Sequence, residues 1–173
     1  MKKIILSKSL FFLILFLFLS CEKDELLRNT RADYFGDNVR IDGFYYYYFQ
    51  GKIHEVLFLY RNGVYFKVVG DGKERTKPEE VKTLLTEVHL KWLKTNKDCW
   101  GIFIIESNNI LLETWSITHG VHYSLIQAGQ ILNDTTFVIT KSHYSPEKPT
   151  STNHTYYFYP YSPKPDSTNT FIK

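Results

Sequence analysis

From residue 41 onward, short apolar and aromatic runs alternate with turn residues, a pattern that predicts strands joined by hairpins. Residues 41–50 (IDGFYYYYFQ) are dense in tyrosine, which favours strands, and Gly51-Lys52 follows as a turn. Residues 54–61 and 64–69 flank Asn62-Gly63, a pair suited to the two positive-φ positions of a type I′ hairpin. After a polar stretch over 70–77 the period changes from 2 to 3.6. Val81, Leu84, Leu85, Val88 and Trp92 then fall at i, i+3, i+4, i+7 and i+11, so one helix over 78–94 with a single apolar stripe is expected. Thr76 and Glu79 are placed to close a capping box, with Pro78 in the first turn.

The β pattern resumes at Cys99. Residues 100–106 and 110–117 flank Ser107-Asn108-Asn109, and residues 122–132 and 135–141 flank Asn133-Asp134. Residues 142–153 carry prolines, serines and threonines and read as a loop before an eighth strand over 154–159. The tail from residue 160 holds three prolines, each lacking a ladder donor, and is expected to lie over the outside of the domain. Eight sequential antiparallel strands have edges to protect, and closure into a barrel removes them. The fold expected is therefore mainly β, an eight-stranded antiparallel meander closed into a barrel, with one amphipathic helix between the third and fourth strands. Runs such as Trp100 to Ile105 are apolar on both faces, so helix and tail are the available covers for the outer side.

The N-terminus adds an address. Lys2 and Lys3 precede an unbroken apolar run over 10–19, then Ser20 and Cys21, which is the order of a charged region, an apolar region and a small residue before a cut. Ten helical residues rise only about 15 Å, half of a ~30 Å hydrocarbon core, so a signal peptide over 1–20 is expected rather than a permanent span. Three of the 21 basic residues, Lys2, Lys3 and Lys8, lie in that segment, and none of the 18 acidic ones does. The chain from Cys21 on is therefore formally neutral, which argues against nucleic acid as a partner, since polyanions need a basic stripe.

Phe18-Leu19-Ser20-Cys21 resembles the lipobox of bacterial lipoproteins, in which the cysteine is acylated. That resemblance implies lipidation at Cys21 and a bilayer partner held through it. Glu22-Lys23-Asp24-Glu25 is similar to the acidic export tags of Bacteroidota-type lipoproteins, which implies anchoring to the outer membrane and display on its outer face. The polar, aperiodic residues 21–38 read as a flexible tether, and 39–173 as a single domain. Only Cys21 and Cys99 are present. With the first consumed by lipid no intramolecular disulfide can form, and Cys99, between Asp98 and Trp100, reads as a buried inert thiol.

Gly43-Phe44-Tyr45 resembles the Gly-x-aromatic start of lipocalin-like barrels, and Trp100-Gly101-Ile102 with Asn108-Asn109-Ile110 resembles a later hairpin of small lipocalin-like lipoproteins. The segment over 130–140 (QILNDTTFVIT) extends the likeness over most of the domain. The resemblance implies a small, largely apolar ligand inside the barrel, with Tyr45, Tyr47, Tyr123 and Tyr156 as lining residues; core packing is the other reading of the same tyrosines. A structural or interaction module with a filled barrel, meeting an envelope protein, is the alternative function.

Catalytic patterns are not found. His119 and His122 form His-x-x-His, but a spacing of three on a strand points side chains to opposite faces, so no metal site is expected. Glu79-Glu80 suits a helix first turn, and Glu113 within its strand reads as solvated or paired within the strand lattice. No nucleophile elbow, phosphate-cradling loop or Cys/His dyad occurs, so neither enzyme activity nor a cofactor is expected. Asp134-Thr135-Thr136 and Asp166-Ser167-Thr168 resemble Asp-Ser/Thr-x acceptors of O-glycosylation, which implies Thr135 and Ser167 as candidate modification sites.

Overall fold

A computed structural model describes residues 25–118 and 120–173. The signal segment and Cys21 lie outside the described residues. Eight strands follow in order: β1 Gly43–Phe49, β2 Lys52–Leu59, β3 Val64–Val68, β4 Trp100–Glu106, β5 Asn109–Thr118, β6 Val121–Asn133, β7 Thr136–Tyr144 and β8 Thr150–Pro160. Each pairs antiparallel with the next, and β1 pairs back onto β8, so the sheet is a closed barrel. The expected fold class is what is found, with a short helix between β3 and β4.

Because the side-chain period of a strand is 2, one set of residues fills the lumen and the other faces out. Tyr45, Leu57, Tyr65, Phe103, Leu112, Phe137 and Tyr156 belong to the lumenal core. The opposite face of β1 to β4 is apolar too: Phe44, Phe58, Phe66 and Trp100 form a second core on the outside, with Val81, Leu84 and Leu93 from the β3–β4 connection packed over it and Tyr161, Phe171 and Ile172 from the tail. Helix and tail thus supply the outer cover that the two-faced strands demand.

That connection differs from the single helix expected. A 3₁₀ turn, Pro78–Thr83, stops at Leu84, and the helix α1, Glu87–Lys94, begins afresh. Thr86 is the cause: it adopts extended φ and ψ, and its hydroxyl accepts from the His89 amide at 3.4 Å, which caps a new helix. The break turns the apolar stripe. Val81 and Leu84 are buried in the first piece and Leu93 in the second, whereas Val88 and Trp92 are 82% and 56% exposed. The first cap also shifts, since Glu80, not Glu79, accepts from the Thr76 and Lys77 amides.

Turn chemistry is redistributed as well. At Asn62-Gly63 only Gly63 has positive φ (+72°), and the Tyr60 amide donates to Val64 O while the Gly63 amide donates to Tyr60 O. This is a three-residue loop ending in a left-handed glycine, not type I′. Both positive-φ positions occur instead at Gln50 (51°) and Gly51 (77°), between β1 and β2. The loop expected over 142–153 shrinks to residues 145–149, because Ser142 pairs with Thr150 and the ladder continues to the two prolines.

The lower end of the barrel, at the β2–β3, β4–β5 and β6–β7 turns, is sealed by the chain leading into β1. Tyr34 enters edge-on to Phe103 (centroids 5.6 Å), and its hydroxyl accepts from the Val39 amide at 2.9 Å. Tyr45 Oη donates to Asp134 O at 2.8 Å, closing the plug on the β6–β7 turn. Residues 25–38, expected as part of a tether, are docked against the barrel. Their anchor is a strand carboxylate: Glu113, on the outer face of β5, accepts from the Arg28 amide (2.6 Å), the Asn29 amide (2.9 Å), Asn29 Nδ2 (2.8 Å) and Ser124 Oγ (2.5 Å). Glu113 is fully buried by this arm and paired with four donors, which removes the solvated one of its two expected readings; its partners lie mainly in the arm.

Candidate functional site at the barrel mouth

The upper end, at the β1–β2, β5–β6 and β7–β8 turns, is where lumenal polar groups collect. Register places Tyr47 opposite both Glu55 and Tyr156, so the three share the lumenal face near the mouth. Tyr156 Oη donates to Glu55 Oε1 at 2.5 Å. The Tyr47 ring stacks on His154 (4.7 Å, 10°) and leans on His54 (5.3 Å), which occupies the bulge where β2 carries an extra residue. His154 Nε2 lies 3.0 Å from Thr152 Oγ1, while its Nδ1, shielded from solvent, meets no polar partner among the described residues.

Electrostatics at the mouth follow from burial beside one carboxylate. Burial, then the charge of Glu55, pushes the Tyr47 hydroxyl up to about 12 and holds Tyr156 and Tyr65 well above the ordinary tyrosine range. At neutral pH these are hydrogen-bond donors, and the mouth offers recognition by hydrogen bonding and ring stacking.

Below the mouth the lumen is occupied by side chains. Tyr156 stacks on Phe137 (4.8 Å, 14°), Phe137 meets Tyr45 (5.0 Å), and Tyr156, Phe137, Tyr45 and Phe103 are at most 1% exposed. Gly101 is part of this packing. A Cβ there would lie 2.4 Å from Cζ of Tyr65, so the ring rests directly on the β4 backbone. Clefts occur outside the barrel. One of about 680 Å³ runs between α1 and the tail, past Leu90, Lys94, Tyr161 and Lys164, and another of about 410 Å³ lies beside the arm at Asn29, Ile104 and Leu111. The tail is strapped down by Lys164, whose Nζ donates to Ile41 O (2.5 Å) and Leu59 O (2.6 Å) over the Tyr60 ring. Burial lowers that ammonium to about 8.

Of the four tyrosines expected to line the lumen, Tyr45, Tyr47 and Tyr156 lie in its core, and Tyr123 shares the lumenal register opposite Ser116, half-buried. Cys99 is buried, with its thiol pushed up to about 12 by that burial and by Asp98. His119 lies outside the described residues, and no cluster of three metal-ligating side chains occurs among those described. Thr135 Oγ1 donates to Asn133 Oδ1 at 2.8 Å, and Ser167 Oγ accepts from Asn62 Nδ2 at 3.3 Å. The sequence pattern marks none of Glu55, His154 and Glu113 for these places. A carboxylate in a strand carries no local signal of which face it occupies until the bulge at Tyr47/Tyr48 fixes the register.

Comparison with models of known families, with curated proteins and with solved structures found no match.

Proposed function

We propose that this protein is a lipid-anchored module of the bacterial cell envelope, a lipocalin-like barrel filled by its own aromatic side chains. It acts by contact with an envelope protein, and neither catalyses a reaction nor carries a ligand in its lumen. The observation that carries this reading is the unbroken packing of Tyr34, Phe103, Tyr45, Phe137 and Tyr156 from the plug to the mouth. Eight strands leave room either for side chains or for one small molecule, and side chains take that room here. Anchoring draws on the Lys2-Lys3 start, the apolar run over 10–19 and Ser20-Cys21. Two or more acyl chains hold a protein stably at a leaflet where one does not. Glu22-Lys23-Asp24-Glu25 supports the outer membrane as that leaflet's home, with surface display.

An environment-sensitive apolar dye tests the filled lumen. Wild-type protein should leave it dark, and Phe137→Ala, which opens a void beside Tyr45 and Tyr156, should light it. Saturable bright binding by the wild type would overturn the reading. Cys21→Ser tests the anchor, since the variant should leave the membrane fraction for the soluble one.

A second reading, a small hydrogen-bonding ligand held at the mouth, is favoured by His154 Nδ1, which has no polar partner among the described residues and lies beside Tyr47. His154→Phe keeps a ring against Tyr47 and removes both nitrogens. Such a ligand's binding would be lost while the melting temperature stayed nearly constant.

A further inference from the structure

We infer that the barrel sits mouth-down, with its open end facing the leaflet that holds Cys21 and its apolar rim in the lipid interface; this rests on the anchoring reading above. The N-terminal arm sets the geometry. Its Glu25 amide donates to His122 O, at the top of β6, and Trp115 Nε1 donates to Glu25 O at 2.8 Å, so residue 25 lies at the upper end of the β5–β6 hairpin. From there the arm runs down past Glu113 to Ala32, whose carbonyl abuts Gly63, and to Tyr34 at the lower turns. Docked along its length, the arm cannot swing the anchor to the other end. Four residues of any conformation span at most about 14 Å, so a glyceride on Cys21 stays within that reach of the β5–β6 end.

Exposed apolar side chains gather at the same end. Ile117, paired with His122 itself, is 54% exposed, as is Phe49 beside the β1–β2 turn. Leu26 follows the arm's upper contact, and Tyr144 ends β7 at the β7–β8 turn; both are exposed. The helix α1 is tied by His89 Nε2 to the carbonyl of Val69, just past the top of β3, and turns Val88 and Trp92 to solvent. At the lower end Phe35, Leu132 and Tyr157, which pairs with Thr136 at the start of β7, are the large apolar residues that stay exposed among the described residues. Apolar side chains with aromatic companions, next to a short acylated stretch, suit a bilayer interface better than water. The lower turns and the strapped tail are then left for a protein partner.

The test uses full-length, acylated protein in phosphatidylcholine vesicles. Single cysteines replace Phe49 and Ile117 at the open end (Phe49→Cys, Ile117→Cys) and Phe35 and Leu132 at the sealed end (Phe35→Cys, Leu132→Cys), each carrying an environment-sensitive fluorophore. Buried Cys99 does not compete for label. Labels at 49 and 117 should shift to the blue on reconstitution and lose most of their emission to brominated lipid, and those at 35 and 132 should do neither. Quenching at 35 and 132 instead, or at no site, overturns the orientation. Mass spectrometry of the same sample separates the failures. Without glyceride and acyl mass on Cys21 the anchoring reading falls and this one with it; with that mass present and 49 and 117 in water, only the orientation falls.

Discussion

Replacing Glu113 by glutamine should release the N-terminal arm, although the two side chains have almost the same shape. The carboxylate receives four donors, two on each oxygen: the Arg28 amide and Ser124 Oγ on one, the Asn29 amide and Asn29 Nδ2 on the other. A side-chain amide keeps one oxygen and turns the other into a donor. The Ser124 hydroxyl can turn to accept and the Asn29 side chain can flip its oxygen inward, so either orientation leaves one backbone amide, that of Arg28 or of Asn29, facing an N–H group. A buried donor without a partner costs about 1–3 kcal/mol, which sets the scale of the substitution. The arm sets a ceiling on this loss, because residues 25–31 can lift off and give their donors to water. The expected value is therefore about 2 kcal/mol, or about 4–8 °C in melting temperature for a domain of this size.

The assay is paired. Thermal melting reports the total, and hydrogen exchange at the Arg28 and Asn29 amides reports whether the arm has opened. Ser124→Ala, which removes one donor and leaves Glu113 Oε1 with the Arg28 amide, should cost about 1 kcal/mol and leave exchange at Asn29 protected. If Glu113→Gln melts as the wild type does, with both amides still protected, the buried carboxylate does not hold the arm and the argument fails.

Phe137→Ala should lose about 3–5 kcal/mol by calorimetry, since the ring is fully buried between Tyr45 and Tyr156; a loss under about 1 kcal/mol would mean a loose lumen. Gly101→Ala should cost several kcal/mol in chemical denaturation, since the new Cβ meets the Tyr65 ring. Gly51→Ala, with open space around a positive φ, should cost about 1 kcal/mol. Stability should also depend on alkaline pH in two phases. Lys164 titrates at about 8 in the fold against 10.5 in the unfolded chain, so the unfolded state binds more protons between those values and stability rises with pH there. Above about 10 the sign reverses, because burial raises Tyr60, Tyr65 and Tyr156 in the fold and the unfolded chain loses those protons first. Melting temperatures of Lys164→Met from about pH 7 to 11 should keep only the falling phase, and a rise that survives the substitution would refute the assignment.

The strands were legible because their cause is local: alternation and turn residues place β4 at its observed bounds and the remaining seven within a few residues at most ends. Barrel closure followed from edge avoidance, and the outer cover from strands apolar on both faces. What escaped the sequence depends on contacts far apart in the chain. Asn62-Gly63 carries the residues of one turn type and adopts another, because the Ala32 backbone lies against Gly63 and the loop must fit it. Thr86 reads as one more helical residue until Leu93, rather than Val88 and Trp92, is seen under the outer core. Glu113 looks like a solvated or lattice-paired strand residue because its donors in the arm sit 84 and 85 positions away. The mouth cluster needs Glu55 and Tyr156, 101 positions apart, to be neighbours, and only closure of β1 on β8 makes them so.

Native mass spectrometry of the protein purified gently from its host addresses the central claim most directly. A self-filled, lipid-anchored barrel predicts one species: a chain beginning at Cys21, bearing glyceride and acyl mass, with nothing further lost on mild activation. A small molecule that departs at low collision energy would contradict the filled lumen, and a chain retaining residues 1–20 would contradict the anchor.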